Sequence, residues 1–468
     1  MHILHIEYNY NVWVFICPLL CLRCMSSFCV RRVPSPSLSS DKLHLWCRER
    51  NNLCSLSLSP PQEKQLAFAA DCLIRLFRFS FYRREEFAVV VEESSIEIQM
   101  PSISSGDLSS PLDGGVDFGS VKTVPESHAW QEPEGFSLES SDLDGIPVID
   151  LSTPWWGVAR EIGRACASWG AFQVVNHGVP DNVLKRVEEQ GWRLFSLPPD
   201  QKLKAERGPD EIAGFGAPRI THFFPKRMWT EGFTVFGSPL EQARRLWPHD
   251  HMQFCEVIEE YQSEMKSLTV KLLELILEWV GAGKEDLNWE VGDSSGVTQL
   301  NSYPSCPEPS RAMGLAPHTD SSLLTVIHQS NTSGLQLLDA SGQKWVTVPP
   351  VHGALVVNIG DLLHILSNGR CRSSMHRAVV NRVHHRLSFA YFCFPSPGAT
   401  VEPLIGPDEP TALYRSVTWT EYLRIKGTLF NNALFSLLLP DSGFSTRLQQ
   451  PFSLLPSQSR PSVMQESH

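Results

Sequence analysis

Between Gly296 and Pro395 the chain runs through short apolar stretches, each cut off by Gly, Asn, Pro or Asp: Leu323–Ile327, Leu335–Leu338, Leu355–Ile359, Arg377–Val380 and Leu387–Phe394. None is long enough for an ordinary helix, and punctuation every 8 to 12 residues or so gives each run room for one strand and one turn. About eight such strands fit a sandwich or jelly roll.

The region ahead of it has another texture. Ile146–Leu151 reads as a short strand, Val158–Trp169 as a helix and Ala171–Val175 as a second strand. Asn176–Pro180 reads as a turn, after which Asp181 caps a helix to about Phe195. A long helix from about Phe254 to Val280 sets Val257, Tyr261, Leu268, Leu272, Leu275 and Trp279 near one face, and a last one runs from about Thr418 to Lys426. The expected fold class is α+β: a double-stranded β-helix (jelly-roll) core with flanking helices and a mixed helix-and-strand N-terminal support domain. The expected domains are an extension at 1–99, the support domain at 100–295, the jelly roll at 296–396, a helical segment at 397–439 and a disordered Ser/Pro/Gln-rich tail at 440–468.

At 468 residues the chain is too long for one ordinary core, and 42% hydrophobic against 19% charged residues suits a protein with a buried interior. The balance of 40 Lys+Arg against 51 Asp+Glu gives a net charge of −11, which argues against a partner rich in phosphate. The longest apolar candidate, Val12–Leu22, is broken by Pro18 and followed by Arg23, so neither a membrane span nor a secretory signal is expected. Residues 1–99 carry about +1 of the charge and the remainder about −12. They hold seven of the 12 cysteines and show no sustained period beyond pieces such as Leu66–Phe79. We expect a disordered extension or gene-model artefact, with Met100 as the start. Cys21 and Cys24 have CxxC spacing but no second pair for zinc. The scattered Cys166, Cys255, Cys306, Cys371 and Cys393 read as reduced thiols of a cytoplasmic protein, with the nucleus as the alternative compartment.

Chemistry concentrates in the β region. His318 and Asp320 are two apart, so on a strand they share a face, and His376 can reach them from another strand. Two imidazoles and a carboxylate on one side of a metal form the triad of non-haem Fe(II) oxygenases, which leaves positions for a chelating cosubstrate and dioxygen. The spacing alone is weak, since His5-Ile-Glu7 shares it. Ten residues past His376, Arg386 and Ser388 share a face in an otherwise apolar run. A guanidinium there requires an anion: either the far carboxylate of a dicarboxylate cosubstrate, held by Arg386 and the Ser388 hydroxyl, or a core acid from elsewhere in the fold.

His318-Thr-Asp320, His376 and Arg386-Leu-Ser388, preceded by Asn301–Pro307 and by Trp169–Pro180, resemble the plant 2-oxoglutarate and Fe(II)-dependent dioxygenases from about Val124 to Lys426. Within them, Val124–Trp130, Met228–Thr234, Ala312–Thr325 and Asn331–Gln336 are most similar to the gibberellin 3-beta-dioxygenases. The resemblance implies Fe(II) on His318, Asp320 and His376, and 2-oxoglutarate on Arg386 and Ser388 with Tyr303 as a further contact. It also implies O2 as cosubstrate and ascorbate as reductant. The reaction implied is 3-beta hydroxylation of an inactive gibberellin precursor to the bioactive hormone, releasing succinate and CO2, by a monomer with no nucleic-acid or membrane partner. The rival readings are attack at another gibberellin carbon or on a flavonoid, and a non-catalytic jelly roll that binds a ligand. The long N-terminal extension departs from the family pattern.

Other residues receive plainer readings. His177 is architectural, His249 and His251 cap or face solvent, and Asp361, after Asn358-Ile-Gly360, is a turn residue. His328, His352, His364, His384 and His385 are core or rim histidines. Trp229, Phe233, Phe236 and Tyr391 pack as core or line an apolar substrate pocket, core being favoured.

Overall fold

The computed structural model describes residues 118–131, 145–208, 211–291, 295–396, 398–406 and 411–440, with the backbone of five strands between Ile3 and Leu58. The chain divides into two units, Met1–Ile98 and Gln99–His468. In the first, Ile3–Tyr8, Asn11–Val14, Ser27–Arg32, Leu43–Glu49 and Asn52–Leu58 form one sheet with Asn11–Val14 and Asn52–Leu58 at its edges. The expectations placed on Cys21 and Cys24, Leu66–Phe79, Met100 and the tail past Pro440 lie outside the described residues.

The principal elements of the second unit are β1 (Val148–Asp150), α1 (Trp155–Ser168), β2 (Ala171–Val175), α2 (Asp181–Phe195), β3 (Gly214–Gly216), β4 (Glu231–Phe236) and α3 (Met252–Val280). There follow β5 (Ser295–Tyr303), β6 (Met313–His318), β7 (Leu324–Gln329), β8 (Leu335–Leu338), β9 (Trp345–Thr347) and β10 (Leu355–Ile359). The last are α4 (Asp361–Leu366), β11 (His376–Val379), β12 (Arg386–Phe394) and α5 (Trp419–Leu429). The larger sheet has the order β1-β2-β10-β7-β12-β5-β4-β3 and the smaller one β6-β11-β8-β9. Strands β5 to β12 are the jelly roll, and β1 to β4 from the support region extend its larger sheet at both edges.

Strand β12 explains why this region reads as apolar without alternation. It is hydrogen-bonded to β5 on one side and β7 on the other, and every residue but Phe392 is buried. Helix α3 supplies cover: Val257, Tyr261, Leu268, Leu272 and Leu275 are buried as expected, and the Tyr261 hydroxyl donates to the Phe389 carbonyl oxygen at 3.1 Å. It ends at Gly281, whose φ of +80° favours glycine.

Helices α1 and α3 meet at Gly163. A Cβ built there would lie 2.0 Å from Trp279 Cγ. Gly163→Ala is expected to overpack this contact and destabilise the chain by about 1–3 kcal/mol, measurable as a lower denaturant midpoint.

Three local expectations need correction. Asp181 is the first residue of α2, with Pro180 at the cap position and no side-chain cap bond; its charge there favours the helix N-terminus instead. Helix α1 begins at Trp155, three residues ahead of its expected start, because Pro154 precedes it and can enter a first turn without costing a hydrogen bond. Asp361 is no turn residue: it opens α4 and is fully buried. Helix α5 is capped by Thr418, whose Oγ1 accepts from the Glu421 backbone N–H at 3.2 Å. Among the described residues no helix is long and apolar enough to cross a membrane.

Candidate metal centre and anion pocket

His318 ends β6 and His376 begins β11, and the antiparallel register sets the two directly opposite each other. Their rings lie 4.2 Å apart between centroids. Asp320, two residues past the end of β6, turns back so that its Oδ1 is 3.6 Å from Nε2 of each histidine. All three side chains are buried, and one ligand atom from each lies within 4.8 Å of the others. Among the described residues this is the one such group.

The backbone fixes which nitrogen of each ring faces inward. His318 Nδ1 donates to the Ala316 carbonyl oxygen at 2.8 Å, and His376 Nδ1 donates to that of Ser374 at 3.0 Å. A carbonyl only accepts, so each Nδ1 carries the proton and each Nε2 presents a lone pair. Burial, followed by the neighbouring His376, holds the His318 pKa below its ordinary value and keeps the ring in its metal-binding neutral form. Asp320 Oδ2 is buried with no hydrogen-bond partner. A buried carboxylate with one oxygen orphaned and the other facing two imidazole lone pairs is costly unless a cation satisfies it. Two imidazoles and a carboxylate therefore fit a divalent iron ion with a face left open.

The second part of the site lies on β5, β7 and β12. The register pairs Tyr303 with Arg386 and Asn301 with Ser388, while Gln329 lies opposite Ser388 from the other side. Arg386 is 3% exposed, and burial lowers its pKa. Its Nη2 donates to Gln329 Oε1 at 2.9 Å, its carbon Cζ lies 5.2 Å from the Tyr303 ring centroid, and its Nε has no partner. Among the described residues no carboxylate comes within ion-pair distance of it. Asn301 Nδ2 donates to Ser388 Oγ at 3.4 Å, and burial raises the Tyr303 pKa despite the nearby guanidinium. A Cβ on Gly334 would fall 2.8 Å from Arg386 Cδ, so a bare backbone there gives the side chain its path.

Remaining sequence candidates lie elsewhere. His177 Nε2 meets the Gly353 carbonyl oxygen at 3.0 Å, and its Nδ1 accepts from the Val179 N–H at 3.1 Å, bonds that brace a turn. His251 occupies the cap position of α3. Trp229 and Phe233 are fully buried, and Trp229 donates its indole N–H to the Pro304 carbonyl oxygen at 3.2 Å. The aromatics beside the ligand-bearing segments are others, unmarked in the sequence: Phe430 stacks on Phe223 at 4.5 Å and meets Phe224 edge-on at 5.5 Å. The next residue, Asn431, donates to the carbonyl oxygen of Pro317, which precedes His318, at 3.3 Å. No local pattern joins 223 to 430. Gln329 was also missed, since its one signal is its register with Ser388.

A jelly roll with this triad and an unpaired buried arginine defines the class of 2-oxoglutarate-dependent non-haem iron oxygenases. Residues 294–395 match the 2OG-Fe(II) oxygenase superfamily, and residues 146–252 match the N-terminal region described as non-haem dioxygenase in morphine synthesis. The chain is 46% identical to gibberellin 3-beta-dioxygenase 1 of Pisum sativum, over 73% of this chain and 94% of that one. It is 46% identical to gibberellin 3-beta-dioxygenase 1 of Arabidopsis thaliana, over 68% and 91% respectively. The chain belongs to the gibberellin 3-beta-dioxygenase family. Among solved structures, JOX2 in complex with 2OG, Fe and JA is 28% identical with a TM-score of 0.60, covering 69% of this chain and 95% of that one. A dioxygenase for auxin oxidation in rice is 27% identical with a TM-score of 0.53, covering 63% and 100%. The protein is a 2-oxoglutarate-dependent dioxygenase that uses Fe(II), 2-oxoglutarate and O2.

Proposed function

We propose that the chain hydroxylates a gibberellin precursor at its 3-beta position, with His318, Asp320 and His376 holding Fe(II) and Arg386, Ser388 and Tyr303 holding 2-oxoglutarate. The single observation that carries the site reading is the buried Asp320 carboxylate, whose Oδ1 lies 3.6 Å from both inward-facing Nε2 atoms while its Oδ2 has no hydrogen-bond partner. The 46% identity to two gibberellin 3-beta-dioxygenases supports the substrate. Bound Fe(II) supplies the oxidising chemistry, coupling decarboxylation of 2-oxoglutarate to succinate and CO2 with insertion of an oxygen atom into a C–H bond.

The chain's own residues contribute placement. Arg386 Nε and the Ser388 hydroxyl offer two donors to the distal carboxylate of 2-oxoglutarate, and Gln329 holds the guanidinium in plane through Nη2. The keto-acid end would then be left to chelate the iron that His318, Asp320 and His376 would hold. Phe223, Phe224 and Phe430, tied to the segment before His318 through Asn431, are the apolar rings we assign to the side that would meet a rigid diterpenoid. Misplacing the target carbon by about 1 Å costs roughly a hundredfold in rate.

The domain reading goes with this one: 296–396 as the catalytic jelly roll, 100–295 as its support and 397–439 as a covering helical segment. A cytoplasmic monomer acting on a small molecule is part of the same proposal. The five described cysteines, all buried and none in a disulfide, support a reducing compartment, and the acidic balance supports the lack of a nucleic-acid partner.

The test is 2-oxoglutarate decarboxylation with Fe(II) and a substrate panel. A gibberellin without a 3-beta hydroxyl is expected to accelerate succinate release, and flavonoids are not. Acceleration by a flavonoid alone would transfer the substrate assignment, and tight gibberellin binding without succinate would favour a silent binding protein.

A further inference from the structure

Asp361 lies deep in the fold, is not a triad member, and is fully buried. Its Oδ2 accepts from Lys426 Nζ at 2.7 Å, from the Tyr422 hydroxyl at 2.6 Å and from Thr319 Oγ1 at 3.0 Å; its Oδ1 accepts from Ser373 Oγ at 2.6 Å. Lys426 Nζ also donates to Thr319 Oγ1 at 2.5 Å. Thr319 stands between His318 and Asp320. Ser373 precedes Ser374, whose carbonyl oxygen orients the His376 ring. The Asp361 backbone N–H donates to the Asp320 carbonyl oxygen at 2.8 Å. A Cβ on Gly360 would sit 2.1 Å from the Ser322 carbonyl oxygen, so α4 begins hard against the ligand loop.

One carboxylate thus reaches both ligand-bearing segments, one through each oxygen. Its counter-charge comes from α5, which is distant in sequence. A buried ion pair of this kind is weak support for stability, because desolvation offsets most of its attraction. It is better suited to fixing geometry, since fully satisfied buried networks are rigid.

We propose that Asp361, clamped by Lys426 and Tyr422 of α5, is a positioning residue that sets the iron-binding geometry by tying Thr319 and Ser373, and so both ligand segments, to one point. This rests on the assignment of His318, Asp320 and His376 as ligands. Residues that hold metal ligands from behind are generally worth about 10- to 100-fold in metal affinity.

The experiment avoids stripping Asp361 or Lys426, since a lone buried charge endangers folding. Thr319→Val and Ser373→Ala each remove one hydroxyl tie and leave the ion pair whole. Co(II) alone is titrated into the metal-free full chain, read by calorimetry and by the cobalt absorption bands, beside Thr319→Ser and His376→Ala. Thr319→Val and Ser373→Ala are expected to bind Co(II) about tenfold more weakly with altered bands, and Thr319→Ser to recover wild-type affinity. Wild-type Co(II) affinity and bands in both, with His376→Ala losing Co(II), would overturn the clamp and leave the ligand assignment standing. Wild-type binding by His376→Ala would overturn both. A lowered melting temperature with unchanged Co(II) affinity would make the network structural only, which also overturns the proposal.

Discussion

His376→Ala is expected to remove Fe(II)-dependent turnover while leaving the fold in place. The imidazole donates Nδ1–H to Ser374 and offers Nε2 to the cluster, so its loss removes one of three metal donors along with the cross-strand partner of His318. Metal-supplied stabilisation of several kcal/mol corresponds to about three or more factors of ten in rate. The side chain sits at the end of a short strand, and the sheet retains the pairing of β8 and β9 and the Ala378 pairings. Succinate release should therefore fall below detection while the far-ultraviolet dichroism spectrum is unchanged. Retention of more than about a tenth of wild-type turnover is incompatible with His376 as a ligand.

Arg386→Ala carries the second-largest effect, and it falls on the cosubstrate. The guanidinium is buried, held by Gln329, and has no carboxylate partner among the described residues. Truncating one member of a buried, hydrogen-bonded charge pair costs about 2–5 kcal/mol, or roughly 30- to several-thousand-fold. That loss should appear in the KM for 2-oxoglutarate, with Co(II) binding unaltered. Arg386→Lys should recover only part of it, since an ammonium cannot reproduce the planar fork. An unchanged KM in Arg386→Ala would remove the anion role and return the residue to the core.

The triad was legible from residue types taken with the motifs around them, since the two-residue spacing alone is weak. Its geometry needs the fold: Asp320 lies past the end of β6, and the long interval to His376 is bridged by antiparallel register. Arg386 and Ser388 were legible for a different reason, as polar residues in a run that had no other use for them. Asp361 was misread because Asn358-Ile-Gly360 resembles a turn, although Leu362, Leu363, Ile365 and Leu366 follow at helical spacing and are buried. Its partners Lys426 and Tyr422 could not be foreseen, since nothing local ties 361 to 426. The same holds for Phe223 and Phe430, whose stacking depends on how α5 closes over the support region. Periodicity and spacing reveal strands and the motifs carried on them; contacts between distant segments need the fold.

The most direct measurement is the product itself. The full chain, Fe(II), 2-oxoglutarate, O2 and a gibberellin lacking the 3-beta hydroxyl are combined, and the position of the new hydroxyl is read by mass spectrometry and nuclear magnetic resonance alongside succinate. A 3-beta-hydroxylated gibberellin in equal amount to succinate is the predicted result. Succinate formed with the gibberellin unchanged, or hydroxylated at another carbon, would contradict it.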